Sequence, residues 1–296
     1  MRLIIPLVFL LNYVYAQTNI VVSILPQQTF VEKIGGDKVD VSTMVKPGSD
    51  PHSYEPKPSQ MKNISKAQIY FPIGLEFENV WLDKFATQNK NMKFVKMTKG
   101  IEYIEMAEHH HHHEHEADHE DEHEHEANHE EESHHGKDPH TWTSPANVKI
   151  MAKNIYKTLV EYDPKNKDYY KTNYENFIKQ INDTDKKIRD ILSPLGKGAK
   201  FMVFHPSWGY FAKDYDLTQL VIEVEGKEPK PKMLAKIIDE AKEQKVKAII
   251  TQSEFSDKSA RAIANELNIK VIKETPLAKD WSKNLIKMAN TIANNE

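Results

Sequence analysis

Three histidines of this 296-residue chain stand apart from one another and from the rest. His52 lies in Asp50-Pro51-His52-Ser53-Tyr54-Glu55-Pro56, His140 in Asp138-Pro139-His140-Thr141-Trp142, and His205 in Phe204-His205-Pro206-Ser207-Trp208. Each is bonded to a proline, which stiffens its backbone. Singly, a loop histidine reads as a surface residue or as a partner for a helix start. Three imidazoles converging from separate loops would instead make a closed or nearly closed zinc site, with nitrogens about 2.0–2.1 Å from the metal.

The other twelve histidines crowd one segment: His109, His110, His111, His112, His113, His115, His119, His123, His125, His129, His134 and His135. Residues 105–137 also hold 13 carboxylates, one lysine and almost no large apolar side chain. Such a segment cannot bury enough surface to fold alone. A merely solvated acidic loop would explain the glutamates but not the histidines. Tracts of this kind read as metal binding, here of low affinity and adaptable, because ordering entropy is lost at each binding event. Outside the segment 39 basic and 31 acidic residues remain, so the net negative charge of the chain sits on this insert.

The chain contains no cysteine. That excludes a disulfide framework, thiolate metal sites, a cysteine nucleophile and a lipid-anchored mature N-terminus. Residues 1–16 open with Arg2 and an apolar run over 3–11, broken only by Pro6; Val14 and Ala16 then take the −3 and −1 positions before Gln17. This is the layout of a secretory signal peptide cleaved after Ala16. The run falls short of the roughly 20 residues a spanning helix needs. The expected mature chain is soluble, monomeric and free in a periplasm. A nucleic-acid role finds no dense basic stripe to support it.

What must position the three histidines is a repeated strand–helix rhythm. Strands are predicted at 20–25, 39–45, 68–73 and 92–97, with helices starting at Phe30, Pro58 and Val80. A second set follows. Its strands are at 200–204, 219–223, 247–251 and 269–273, and its helices at 208–213, from Pro231, from Ser256 as cap to Leu267, and 281–292. The pattern is α/β, two lobes with mostly parallel sheets. Between them, 145–161 and 164–192 read as two helices without a strand. The second, about 29 residues or roughly 43 Å, is long enough to join two lobes as a stiff connector with limited closure. The expected organisation is a signal peptide at 1–16, an N-terminal lobe at 17–144 carrying the insert, a helical region at 145–193 and a C-terminal lobe at 194–296. His52 and His205 follow strands, where parallel sheets bind ligands. A cleft between the lobes could gather both with His140.

Four segments together resemble the metal-binding solute-binding proteins of ABC importers, in particular their zinc-uptake branch: 47–56 (PGSDPHSYEP), 138–145 (DPHTWTSP), 204–211 (FHPSWGYF) and 275–281 (TPLAKDW). The position of the His-rich insert, before His140, is similar too. The likeness covers the whole mature chain. It implies two α/β lobes joined by a long helix, one buried Zn²⁺, and His52, His140 and His205 as its ligands. It also implies a membrane permease as partner and, through it, a cytoplasmic ATPase. Manganese-type relatives commonly carry a carboxylate at the third position, where this chain has His205; nitrogen donors favour zinc. Relatives often have aspartate where Thr275 stands. The fourth position is therefore open to water, Glu55, Asp280 or an insert histidine.

Two other functions fit parts of the pattern. One is a periplasmic metal buffer or chaperone. The other is a three-histidine zinc hydrolase, with Glu55 or Glu254 as general base, although no H-E-x-x-H element exists.

Overall fold

The computed structural model describes residues 17–107, 136–224 and 226–294. The expected signal peptide and all twelve insert histidines lie outside these residues. Strands β1 (Thr18–Val22), β2 (Val39–Thr43), β3 (Ile69–Phe71) and β4 (Lys93–Phe94) form one sheet in the order β2-β1-β3-β4. Strands β5 (Lys200–Val203), β6 (Thr218–Val221), β7 (Ala248–Thr251) and β8 (Lys270–Lys273) form a second, in the order β6-β5-β7-β8. Every pairing in both sheets is parallel. The two lobes thus repeat one topology, and in each the chain reverses direction beside the first strand. That reversal opens a crevice at the carboxyl ends of the strands.

Helices α1 (Leu25–Gly35), α2 (Pro58–Lys66) and α3 (Glu76–Gln88) belong to the first lobe. Helices α4 (Pro145–Tyr162) and α5 (Lys167–Leu192) follow, and α5 connects the lobes. Helices α6 (Gly209–Asp214), α7 (Pro231–Glu243), α8 (Lys258–Leu267) and α9 (Trp281–Ala293) complete the chain. On α5, Tyr170, Phe177, Ile181, Ile188 and Leu192 are buried at the spacing of one helical face. At its centre Phe177 meets Phe30 of α1, with ring centroids 5.7 Å apart, and Trp281 of α9 stands edge-on to Phe30 at 5.6 Å. The C-terminal helix therefore returns to the first lobe. No helix among the described residues is long and apolar enough to cross a membrane.

Several boundaries differ from expectation. The apolar run 20–25 is divided between β1 and α1. The buried Gln27 side chain accepts hydrogen bonds from the Ser23 and Ile24 backbone N–H groups and donates to the Phe71 carbonyl, so it stops the strand and starts the helix. Helix α3 starts at Glu76 rather than Val80, because the buried Glu78 carboxylate accepts from the Ile73 and Gly74 N–H groups. Strand β4 keeps only two residues. The connector opens with a short 3₁₀ turn at Pro164–Asn166, so α5 has 26 residues. Asp257, not Ser256, occupies the N-cap position of α8; the Ser256 hydroxyl still accepts from the Lys258 N–H at 3.3 Å and donates to Glu228.

Candidate metal centre

Two of the three histidines sit in the same local device. In each Asp-Pro-His segment the aspartate accepts a hydrogen bond from the histidine's own backbone N–H: His52 N to Asp50 Oδ1 at 2.9 Å, and His140 N to Asp138 Oδ1 at 2.8 Å. This Asx turn is local and rigid, with the proline fixing the residue between. The His52 loop follows β2 and is pinned by Gln60. The Gln60 Nε2 donates to the Met44 carbonyl, while its Oε1 accepts from Lys57 N and from Tyr54 Oη. His205 leaves the end of β5 beside the crevice of its sheet, and the 252–257 loop after β7 forms the other side.

The three rings converge between the lobes. Their centroids are 4.8 Å apart for His52–His205, 5.2 Å for His140–His205 and 5.4 Å for His52–His140. One nitrogen from each lies within 4.8 Å of the others. His140 and His205 are buried, at 1% and 5% exposure, and His52 is nearly so. Phe255 stacks on His205 at 4.5 Å and reaches His52 at 6.3 Å, roofing the group. The cavity is lined mainly by apolar and aromatic side chains, among them Trp142, Phe255, Pro276 and Leu277.

Each ring gives its Nδ1 to a different carboxylate. His52 meets Glu76 Oε2 at 2.6 Å, His140 meets Asp138 Oδ1 at 2.7 Å and His205 meets Glu223 Oε1 at 2.8 Å. An ionised carboxylate only accepts, so each Nδ1 carries a proton, and a ring in its neutral form then presents the bare lone pair of Nε2. His52 Nε2 is buried and takes no hydrogen bond; His140 Nε2 and His205 Nε2 face each other at 3.4 Å. Converging lone pairs in an apolar cavity repel one another, and a cation is the ligand that turns this repulsion into bonding. The 3.4 Å spacing equals the edge of a tetrahedral zinc site, roughly 3.3–3.4 Å for Zn–N near 2.05 Å.

Burial opposes protonation of His52, yet the hydrogen bond and charge of Glu76, with Asp50 and Glu223 nearby, hold it above its ordinary value. His140 is held below its ordinary value by burial, which outweighs Asp138; His205 and His52 act in the same direction as burial.

Of the candidates for a fourth position, Glu55 is exposed, and the exposed Asp280 caps α9 by accepting from Lys283 N at 3.3 Å. Neither lines the cavity. Thr275 Oγ1 donates to Glu254 Oε1 at 3.1 Å. The three carboxylate partners of the rings were missing from the sequence reading. Asp138 had a signal, the repetition of Asp-Pro-His, whereas Glu76 and Glu223 lie 24 and 18 residues from their histidines and had none.

The lobes are tied together beside the site. Trp142 Nε1 donates to the Pro276 carbonyl at 2.9 Å, Trp281 Nε1 to the Trp142 carbonyl at 2.7 Å, and Tyr210 Oη to the Asp138 carbonyl at 2.9 Å.

The family model described as "Zinc-uptake complex component A periplasmic" matches residues 20–295. The high-affinity zinc uptake system protein ZnuA of Bacillus subtilis is 35% identical over 257 residues, covering 85% of this chain and 76% of that protein. The manganese ABC transporter substrate-binding lipoprotein PsaA of Streptococcus anginosus is 26% identical, covering 81% and 74%. Among solved structures, a crystal structure of ZnuA superposes with a TM-score of 0.82 at 43% identity, covering 94% of this chain and 99% of that one. The chain belongs to the family of the periplasmic A component of zinc-uptake complexes, whose members are substrate-binding proteins of transporters and not enzymes.

Proposed function

We propose that the chain captures Zn²⁺ tightly in the periplasm and hands it to a membrane permease driven by a cytoplasmic ATPase, acting as a soluble monomer after removal of residues 1–16. The observation that carries this reading is the convergence of His52, His140 and His205, each with Nδ1 committed to a carboxylate and Nε2 turned to a common point. Three nitrogen donors gathered within 4.8 Å of one another suit zinc; manganese prefers carboxylate and water oxygens. The partners of the rings fix tautomer and orientation before the metal arrives, so little ordering is left to oppose binding.

The His-rich insert is proposed as a low-affinity collector that raises the local zinc concentration. Its roots lie close to the site. Glu105 and Lys137 form an antiparallel bridge, and the chain re-enters through Asp138, the partner of His140. Tethered weak sites would deliver metal by effective concentration rather than by affinity.

The test is reconstitution of the mature chain with its permease and ATPase in membranes. Zinc-loaded protein is expected to stimulate ATP hydrolysis and zinc entry. A chain that binds zinc but never stimulates hydrolysis is a buffer, and the transport reading then fails.

A further inference from the structure

Within the cavity one carboxylate has no assigned task. Glu254 lies on the loop after β7 and, among the described residues, is the only acidic one that lines the cavity. Its Oε1 accepts from Thr275 Oγ1 at 3.1 Å, and Thr275 Oγ1 in turn accepts from Leu277 N at 3.1 Å. Its Oε2 is buried and takes no hydrogen bond. A buried carboxylate oxygen without a donor is costly.

We propose that Glu254 is a positioning residue for the fourth coordination position of the bound zinc, with Oε2 accepting a hydrogen bond from a water that completes the tetrahedron. The inference rests on the zinc-capture reading above. Three neutral imidazoles leave one position of a tetrahedral ion open. Direct ligation by Glu254 does not match the geometry. Among the described residues the group of side chains placed to share one ion consists of the three histidines alone, and Glu254 is not part of it. A water is the group that joins a carboxylate lining the same cavity to the open position. Zinc makes such a water a strong donor, and an ionised carboxylate is the acceptor that suits it. Thr275 keeps Glu254 in place by occupying Oε1, which leaves Oε2 for the water.

The experiment compares wild type, E254Q, T275V and H140A in the mature full-length chain. Zinc affinity is read by competition with a chromophoric chelator, and the site by the visible spectrum of bound Co²⁺. E254Q, nearly isosteric, is expected to weaken zinc about tenfold or more and to alter the Co²⁺ bands, as loss of an outer-shell partner does. T275V, which keeps the carboxylate but frees it, is expected to weaken zinc in the same direction and by less. Unchanged affinity and Co²⁺ spectrum in E254Q overturn the proposal while H140A still loses binding. A loss of affinity in E254Q with unchanged Co²⁺ bands and a lowered melting temperature of the metal-free protein also overturns it, since it marks a purely structural role. If H140A binds zinc as tightly as wild type, the zinc-capture reading fails with it.

Discussion

His140 Nε2 and His205 Nε2 face each other at 3.4 Å, and the Nδ1 of each ring is held by a carboxylate, so the neutral form of each ring leaves Nε2 as a lone pair. The two rings come from different parts of the chain, 65 residues apart. A fold that holds two such lone pairs together keeps them for a cation.

The carboxylates that grip the rings should matter almost as much as the rings. E76Q, D138N and E223Q are each expected to weaken zinc about 10–100-fold. D138N should be the most severe, because Asp138 Oδ1 accepts from both the backbone N–H and the ring of His140. Chelator competition measures this ranking. Equal affinities across the three variants and wild type would contradict it.

Gly209 should be irreplaceable for steric reasons. A Cβ at this position would stand 2.5 Å from Asp138 Oδ2 and 3.2 Å from Ile104 Cδ1. Asp138 is fully buried and cannot retreat without releasing His140. G209A is expected to cost about 1–3 kcal/mol of stability, as overpacking does, and to weaken zinc as well. Denaturant unfolding and chelator competition read the two effects separately.

The pH dependence follows from His52. Its folded-state value lies above the ordinary one because Glu76 outweighs burial. A proton on Nε2 competes with metal, so affinity should be full well above about 6.5 and fall as pH drops through the raised value of His52. His140, held below its ordinary value, adds competition only at lower pH. E76Q removes the group that raises His52, and the fall should then move to lower pH. Calorimetry in buffers of different ionisation enthalpy counts the protons released. A flat profile through the histidine range would contradict the assignment.

The βα rhythm of both lobes, the connecting helix and the three histidines were legible in the sequence. Their signals are local: apolar runs of strand length, prolines at helix starts, histidines beside prolines at strand ends. Boundaries set by a distant partner were not. The division of 20–25 between β1 and α1 depends on a buried Gln27 that reaches to Phe71, and Glu78, which sets the start of α3, is itself held by Ser23 of the neighbouring strand end. Glu76 and Glu223 were hidden for the same reason, since only the assembled sheets bring them to His52 and His205. Ser256 shows the converse. Its place before the helix was visible and its hydroxyl does accept from Lys258 N, but its donation to Glu228 of another loop was not.

Deleting residues 108–135 should remove weak sites and leave one tight site intact. The Glu105–Lys137 bridge closes the base of the segment, so a short linker there should leave Asp138 and His140 in place. Isothermal titration is expected to show one zinc per chain at unchanged tight affinity, with the additional heats gone. Loss of the tight site would mean that an insert histidine is a ligand.

The most direct measurement is anomalous diffraction at the zinc edge from crystals of the insert-deleted chain grown with one equivalent of zinc. The account predicts a single dominant peak between His52, His140 and His205, with three Nε2 atoms at about 2.0–2.1 Å. A dominant peak elsewhere, or one that lacks any of these three nitrogens, would contradict it.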